Sequence, residues 1–166
     1  CGIAVRENLI QCWEAALAGD PVSAFGGIII TNQPIDEPTA NEINKLFFEV
    51  LLAPGFEKNA LEILCSKKNR IILQKNSCDL PEKQFRSLLN GCIMQDRDTA
   101  GALPENLKVI TVKQPDKQQL DDLLFANQVV KHTKSNAIVL VKNRQLIGSG
   151  AGQTSRVDAT KQAIAK

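Results

Sequence analysis

"DEPTANEINKLFFEVLLAPGF", residues 36–56, decides the fold class, because it carries the strongest helical pattern in the chain and follows directly on an apolar strand pattern. Ile43, Leu46, Phe47, Val50 and Leu51 recur at the i, i+3, i+4, i+7, i+8 spacing of one buried helical stripe. Asp36 or Thr39 stands where a cap is needed, Thr39 and Glu42 have the separation of a capping box, and Pro54 with Gly55 stops the pattern. The spacing therefore predicts a helix that runs through Glu49, a residue off the apolar stripe and by default solvated.

Working outward, "IIIT" reads as a short buried strand, and "DPVSAFGG" before it as a turn containing Pro21, Gly26 and Gly27. Upstream, Leu9, Cys12, Trp13, Ala16 and Leu17 form another helical stripe that Gly19 ends. Downstream, a short helix "EKNALEILCSKK" leads into a strand "RIILQ". Helix and strand alternate, which is the signature of an α/β layer architecture. "RSLLNGCIMQDRDT" reads as extended, and "PENLKVITV" as a further strand. Turn character from Ala100 to Pro104 divides the chain into 1–99 and 100–166. The second part holds a helix with Leu120, Leu123, Leu124 and Val130 on one face, strands "NAIVLVK" and "QLIGSG", and a final helix "TSRVDATKQAIAK".

Bulk properties exclude several classes of function. The length of 166 residues suits one ordinary domain, and 43% hydrophobic with 23% charged residues is an average globular balance. The net charge is +2, and "CSKKNR" is the one dense basic cluster. With six Phe, one Trp and no Tyr, nothing interleaves with it to stack on bases, so nucleic acid is not an expected partner. Cysteines stand at 1, 12, 65, 78 and 92, an odd number without a CxxC, and there is one His. That pattern argues against a disulfide framework and a zinc site, and implies reduced thiols in a cytoplasm. No apolar run approaches the ~20 residues that cross a bilayer. Residue 1 is Cys rather than Met, so the chain is expected to start partway through a longer protein.

"SNAIVLVKNRQLIGSGAGQTSR", residues 135–156, concentrates the candidate chemistry. A strand that enters glycines and then a helix presents backbone N–H groups to an anion. Gly148, Gly150 and Gly152 admit close approach of either a ligand or another stretch of chain, so a phosphate- or nucleotide-binding module using this loop is one reading. The spacing is GxGxG, however, not the GxGxxG of dinucleotide folds. Arg156 is either a fork for a carboxylate, carbonyl or phosphate, or a plain surface arginine. Asn136 either caps a strand edge or presents its amide into a cleft. Phe25 is core or ligand contact, while Gly26 and Gly27 would let a ligand lie against the main chain. Lys131 and His132 resemble a general-base pair, yet a cation at a helix end suits the macrodipole without any function.

Taken together, "DPVSAFGGII", "LEILCSKKN", "RSLLNGCIMQDRDT", "VVKHTKSNAIVLVKN" and "IGSGAGQTSRVDA" resemble, in order and over essentially the whole chain, the formyltransferase domain of the AICAR transformylase/IMP cyclohydrolase family. The resemblance implies a three-layer cytidine-deaminase-like α/β fold without zinc, and the chain indeed lacks H-x-E and CxxC patterns. Residues 1–99 would belong to a first transformylase subdomain and 100–166 would open a second. The implied activity is that of a phosphoribosylaminoimidazolecarboxamide formyltransferase. It moves a formyl group from 10-formyltetrahydrofolate, its co-substrate, to the 5-amino group of 5-aminoimidazole-4-carboxamide ribonucleotide, with no metal in the chemistry. A homodimer and a separate cyclohydrolase domain in the parent protein are implied as well. By match to the family's motifs, Asn136, Gly26 and Glu49 would contact the ribonucleotide, Asn136 also at the reacting centre. Arg156 would face the folate, with Phe25, Val22 and Val157 lining its neighbourhood. Cys1 and Gly2 match the tail of the family's K-H-x-N-P-C-G motif, so its Lys-His pair would precede residue 1 and the isolated chain would be inactive.

Overall fold

The computed structural model describes residues 1–77 and 79–165; Cys78 and Lys166, the end of the expected final helix, lie outside the described residues. The elements run α1 (Leu9–Gly19), β1 (Gly27–Ile30), α2 (Glu37–Asn44), β2 (Phe48–Ala53), α3 (Lys58–Cys65) and β3 (Ile71–Gln74). They continue with β4 (Lys83–Leu88), β5 (Gly91–Asp96), α4 (Lys117–Lys131), β6 (Ile138–Lys142), β7 (Gln145–Gly150) and α5 (Arg156–Ala165).

The long helix expected over 36–56 is two elements. Asp36 caps α2 by accepting from the Thr39 N–H, Pro38 sits in its first turn, and the helix ends at Asn44. "FFEVLLA" then pairs as the middle strand of a parallel sheet ordered β1-β2-β3, so Glu49 lies on a strand and not on a helix. A short apolar run satisfies a period of 3.6 and a period of 2 about equally well. Here ladders on both sides of β2 decide it, aligning Val50 with Ile28 and Ile71, and Leu51 with Ile29 and Ile72.

That register gives the sheet two faces. Leu51 and Ala53 are buried with Ile43, Ala40, Ala60 and Leu64 of α2 and α3, and Leu9 and Trp13 of α1 pack against the same cluster. The opposite face carries Ile28, Ile30, Ile71 and Leu73, all exposed. One irregularity interrupts the ladder: Gly27 pairs with Phe48 but Ile28 with Val50, so β2 holds an extra residue at Glu49. Counted back from Ala53 and Leu51, unbroken alternation would turn Glu49 toward the core. The bulge puts Phe48 there, fully buried, and leaves Glu49 exposed.

In the second half, β6 and β7 form a hairpin with a two-residue turn, Asn143 (φ 53) and Arg144 (φ 50). Both N–H groups donate to the Asp122 carboxylate of α4, at 2.9 and 2.6 Å. Asp116 and Gln119 close a capping box at the start of α4. The N-terminal segment adds to the β7 edge through Leu146 N–H to Ile3 O (2.9 Å) and Val5 N–H to Arg144 O (3.0 Å), and α1 packs on β7. The stretch 86–99 is extended as expected, forming with Lys83–Gln84–Phe85 the β4-β5 hairpin, in which Phe85 faces Met94. "PENLKVITV" is not a strand: it makes a single 3₁₀ turn at Pro104–Asn106, and Lys108–Val112 is exposed. Among the described residues its alternating Val and Ile form no ladder with another strand.

Candidate functional site

The expected site residues form two groups. In the first, Gly26 adopts φ +72, a left-handed conformation that side chains strain against, and its N–H donates to Phe47 O at 2.9 Å. The Phe25 and Phe47 rings stack in a tilted arrangement, centroids 5.0 Å apart. One residue further on, β2 bulges at Glu49, opposite Gly27. Gly26 and Glu49, 23 positions apart in the chain, thus share one corner of the sheet. Glu49 is exposed and has no hydrogen-bond or ion-pair partner among the described residues. Phe25 is 72% exposed and Val22 86%, so neither is core.

The second group surrounds the loop between β7 and α5. Asn136 and Gln153 exchange backbone hydrogen bonds, and Asn136 Nδ2 donates to Gln153 O and Thr154 O, each at 3.1 Å. The amide therefore ties the loop down, while its Oδ1 meets no donor among the described residues. Ser155 caps α5: its Oγ accepts from the Asp158 N–H at 3.0 Å and donates to the Asp158 carboxylate at 2.7 Å. Arg156 follows as the first residue of α5, exposed and unpaired among the described residues, beside Val157, which is 63% exposed.

Between the two groups the structure shows no hydrogen bond, ring contact or ion pair among the described residues. Two surface depressions lie elsewhere. One is bordered by Val5–Glu7, α4 and the Asn143–Arg144 turn, the other by Lys108–Pro115, α4 and β6, and none of the expected site residues lines either. The corner and the loop are two separate walls.

The glycine loop has a different task from cradling an anion. A Cβ on Gly148 would stand 2.1 Å from Ala163 O, and one on Gly150 1.9 Å from Ala159 O, so both glycines exist to let α5 lie directly on β7. The Ala151 N–H is taken by Gln162 Oε1 at 2.9 Å, and Gln153 bonds to the same side chain. The N–H groups of Ala151, Gly152 and Gln153 are thus taken by Gln162, Lys134 and Asn136, which leaves these three unavailable to an anion. His132 caps the C-terminus of α4 and is exposed, while Lys131 Nζ holds Asp98 O (2.9 Å) and Ala100 O (2.6 Å). Lys131 is thus engaged by the 98–100 backbone, and no hydrogen bond joins it to the His132 side chain among the described residues.

Arg70 is the residue that sequence reading overlooked. Its guanidinium lies 4.1 Å from the Phe48 ring centroid and donates to Asn44 Oδ1, Asn44 O and Leu46 O, at the junction of α2 and β2. Burial lowers its pKa from the ordinary arginine value. In sequence it is one more cation of the "CSKKNR" cluster, without a signal that sets it apart. The four described cysteines are free thiols, and no group of three or more metal-ligating side chains occurs among the described residues. No helix among them is long and apolar enough to cross a membrane.

A parallel sheet with helices packed on one face, joined to helix-backed hairpins, defines an α/β protein. A family model described as AICARFT/IMPCHase bienzyme matches residues 1–166. The chain is 57% identical over 166 residues to the bifunctional purine biosynthesis protein PurH of Bacteroides thetaiotaomicron, covering 100% of this chain and 33% of that protein. It is 45% identical over 167 residues to the protein of that name from Chlorobium phaeobacteroides, covering 100% of this chain and 32% of the relative. It is 46% identical over 168 residues to that of Acetivibrio thermocellus, covering 99% and 33%. The chain belongs to the AICARFT/IMPCHase family, and it spans about a third of the length of the curated relatives it matches.

Proposed function

We propose that this chain supplies part of the formyl-transfer site of a bifunctional purine-biosynthesis enzyme whose other activity is IMP cyclohydrolase. The donor is 10-formyltetrahydrofolate and the acceptor is the 5-amino group of 5-aminoimidazole-4-carboxamide ribonucleotide. The parent works as a cytoplasmic homodimer, and its transformylase subdomains have the cytidine-deaminase-like three-layer fold. The open apolar face of the β1-β2-β3 sheet supports a further layer, since parallel sheets are covered on both sides.

The chemistry sets what each residue has to do. The amine attacks the formyl carbon, a tetrahedral oxyanion forms, the amine loses a proton, and N10 of the folate leaves as the N–H. Formamide carbon and aromatic amine are both unreactive, so alignment and oxyanion stabilisation carry much of the barrier. Gly26 lets the ribonucleotide lie against the main chain, and the Glu49 carboxylate accepts from its hydroxyl or amide donors. Asn136, its Nδ2 committed to the loop, turns its Oδ1 toward an N–H donor of the ribonucleotide near the reacting centre. Arg156 pairs with a carbonyl or carboxylate of the folate, beside the apolar surfaces of Val157, Phe25 and Val22. The proton acceptor for the step is assigned to the Lys-His pair of the family's K-H-x-N-P-C-G motif, whose last two residues Cys1 and Gly2 match.

The observation that carries this reading is the juxtaposition of Gly26 with the bulged, unpaired Glu49. In the parent protein, Glu49→Gln raises KM for the ribonucleotide roughly tenfold or more, from about 1.5–3 kcal/mol for a charged hydrogen bond. The isolated chain transfers no formyl group. An unchanged KM, or turnover by the isolated chain, overturns the reading.

A further inference from the structure

We infer that Arg70 is a positioning residue for the ribonucleotide side of the site, acting by holding β2 in the bulged register that exposes Glu49. The inference rests on the proposed role of the Gly26–Glu49 corner.

Arg70 immediately precedes β3, yet its guanidinium reaches back past β2 to the end of α2. Nη1 donates to Asn44 Oδ1 at 2.7 Å, and Nη2 to Asn44 O at 3.3 Å and Leu46 O at 3.2 Å. The carbonyls at a helix C-terminus lack partners within the helix and carry the negative end of its dipole, so a fork of donors suits them. The same group covers the Phe48 ring at 4.1 Å. Arg70 thus grips both the residues that enter β2 and the ring that must point inward.

The next residues form the corner. Phe47 O receives the Gly26 N–H, the Phe47 ring stacks on Phe25, and Glu49 is the extra residue of the bulge. An alternative register is available: without the bulge, alternation would carry Glu49 inward and Phe48 outward. A one-residue slip exchanges the faces of a strand, so whatever anchors Phe48 decides which side chain reaches solvent. Asn44 O, Leu46 O and the Phe48 ring fit the guanidinium together only when Phe48 is the inward residue. Partial burial of the side chain, with a buried Nε unpartnered among the described residues, is the cost at which this anchor is held. A partly buried polar group that selects one register over another is the best-attested use of such a group.

The test uses the full-length parent protein, with KM measured for each substrate separately beside a thermal melt. Arg70→Met raises KM for the ribonucleotide roughly tenfold or more, as displacement of a binding group by an ångström does, and leaves KM for the folate within about twofold. Arg70→Lys gives the same selective effect, because one ammonium cannot fork to Asn44 and Leu46 while covering Phe48. If Arg70→Met does not fold, Asn44→Ala takes its place. It removes one acceptor and raises the same KM to a smaller extent. Equal changes in both KM values, or a lower melting temperature with both unchanged, overturn the inference and leave Arg70 a stabilising residue only. Glu49→Gln separates the two levels. Where it raises the ribonucleotide KM and the Arg70 and Asn44 variants do not, the positioning role alone fails. Where it has no effect, the reading of the corner fails and the inference with it.

Discussion

Gly150→Ala tests the close seating of α5 on β7. The added Cβ would lie 1.9 Å from Ala159 O, 2.7 Å from its carbonyl carbon and 2.9 Å from its Cα, far inside the 3.4–4 Å of ordinary contact. A helix carbonyl cannot rotate away as a side chain can, so the whole of α5 has to retreat. Ala159 and Ala163, buried against the hairpin, lose their packing as it does so. Overpacking of this kind costs about 1–3 kcal/mol, and with backbone as the obstacle the upper end applies. At roughly 2–4 °C per kcal/mol for a chain of this size, about 3 kcal/mol lowers the melting temperature by roughly 6–12 °C in a circular dichroism melt. Gly152→Ala is the control. Its nearest neighbour is Lys134 Cδ at 3.7 Å, and only the φ of +66 opposes it, at about 1–2 kcal/mol. A Gly150→Ala protein melting within about 2 °C of the parent refutes the packing argument. Loss of phosphate binding at unchanged stability would restore the loop as an anion site.

Asn136→Ala removes the Nδ2 donor from Gln153 O and Thr154 O and costs about 1–2 kcal/mol of stability by denaturant titration. In the parent protein turnover falls further, by roughly a hundredfold, and a loss no larger than the stability change would leave the amide as a loop tie alone. Asp122→Ala strips both N–H groups of the Asn143–Arg144 turn of their acceptor and lowers stability by about 1–3 kcal/mol in the same titration, without altering KM for either substrate in the parent.

The limits of sequence reading show at particular residues. α1, α3, α4 and α5 stand where helices are expected, though α1 includes Gly19 and ends at Asp20, and Leu9, Cys12, Trp13, Ala16 and Leu17 are half-buried as one face. The region 44–53 is ambiguous in sequence because Ile43, Leu46, Phe47, Val50 and Leu51 fit a helix as well as "FFEVLLA" fits a strand. Val109 to Val112 has a good strand pattern yet forms no ladder with another strand among the described residues. The turn at Gly26 is legible in sequence because a glycine pair before an apolar run marks a turn or a close approach. Arg70 was illegible because its partners, Asn44 and Leu46, are 26 and 24 positions away.

The amino-acid order alone determined the start of α2, since the Asp36 cap and the turn it closes lie within four residues of each other and compete with nothing distant. It also determined the family, through five segments matching in register. Tertiary structure alone decided that β2 is a strand, that its bulge turns Glu49 outward, and that Gly148 and Gly150 make room for a helix rather than a ligand. Each of those outcomes depends on hydrogen bonds and contacts between segments far apart in the chain. Their free energy exists only once the neighbours are in place, and no local period records it.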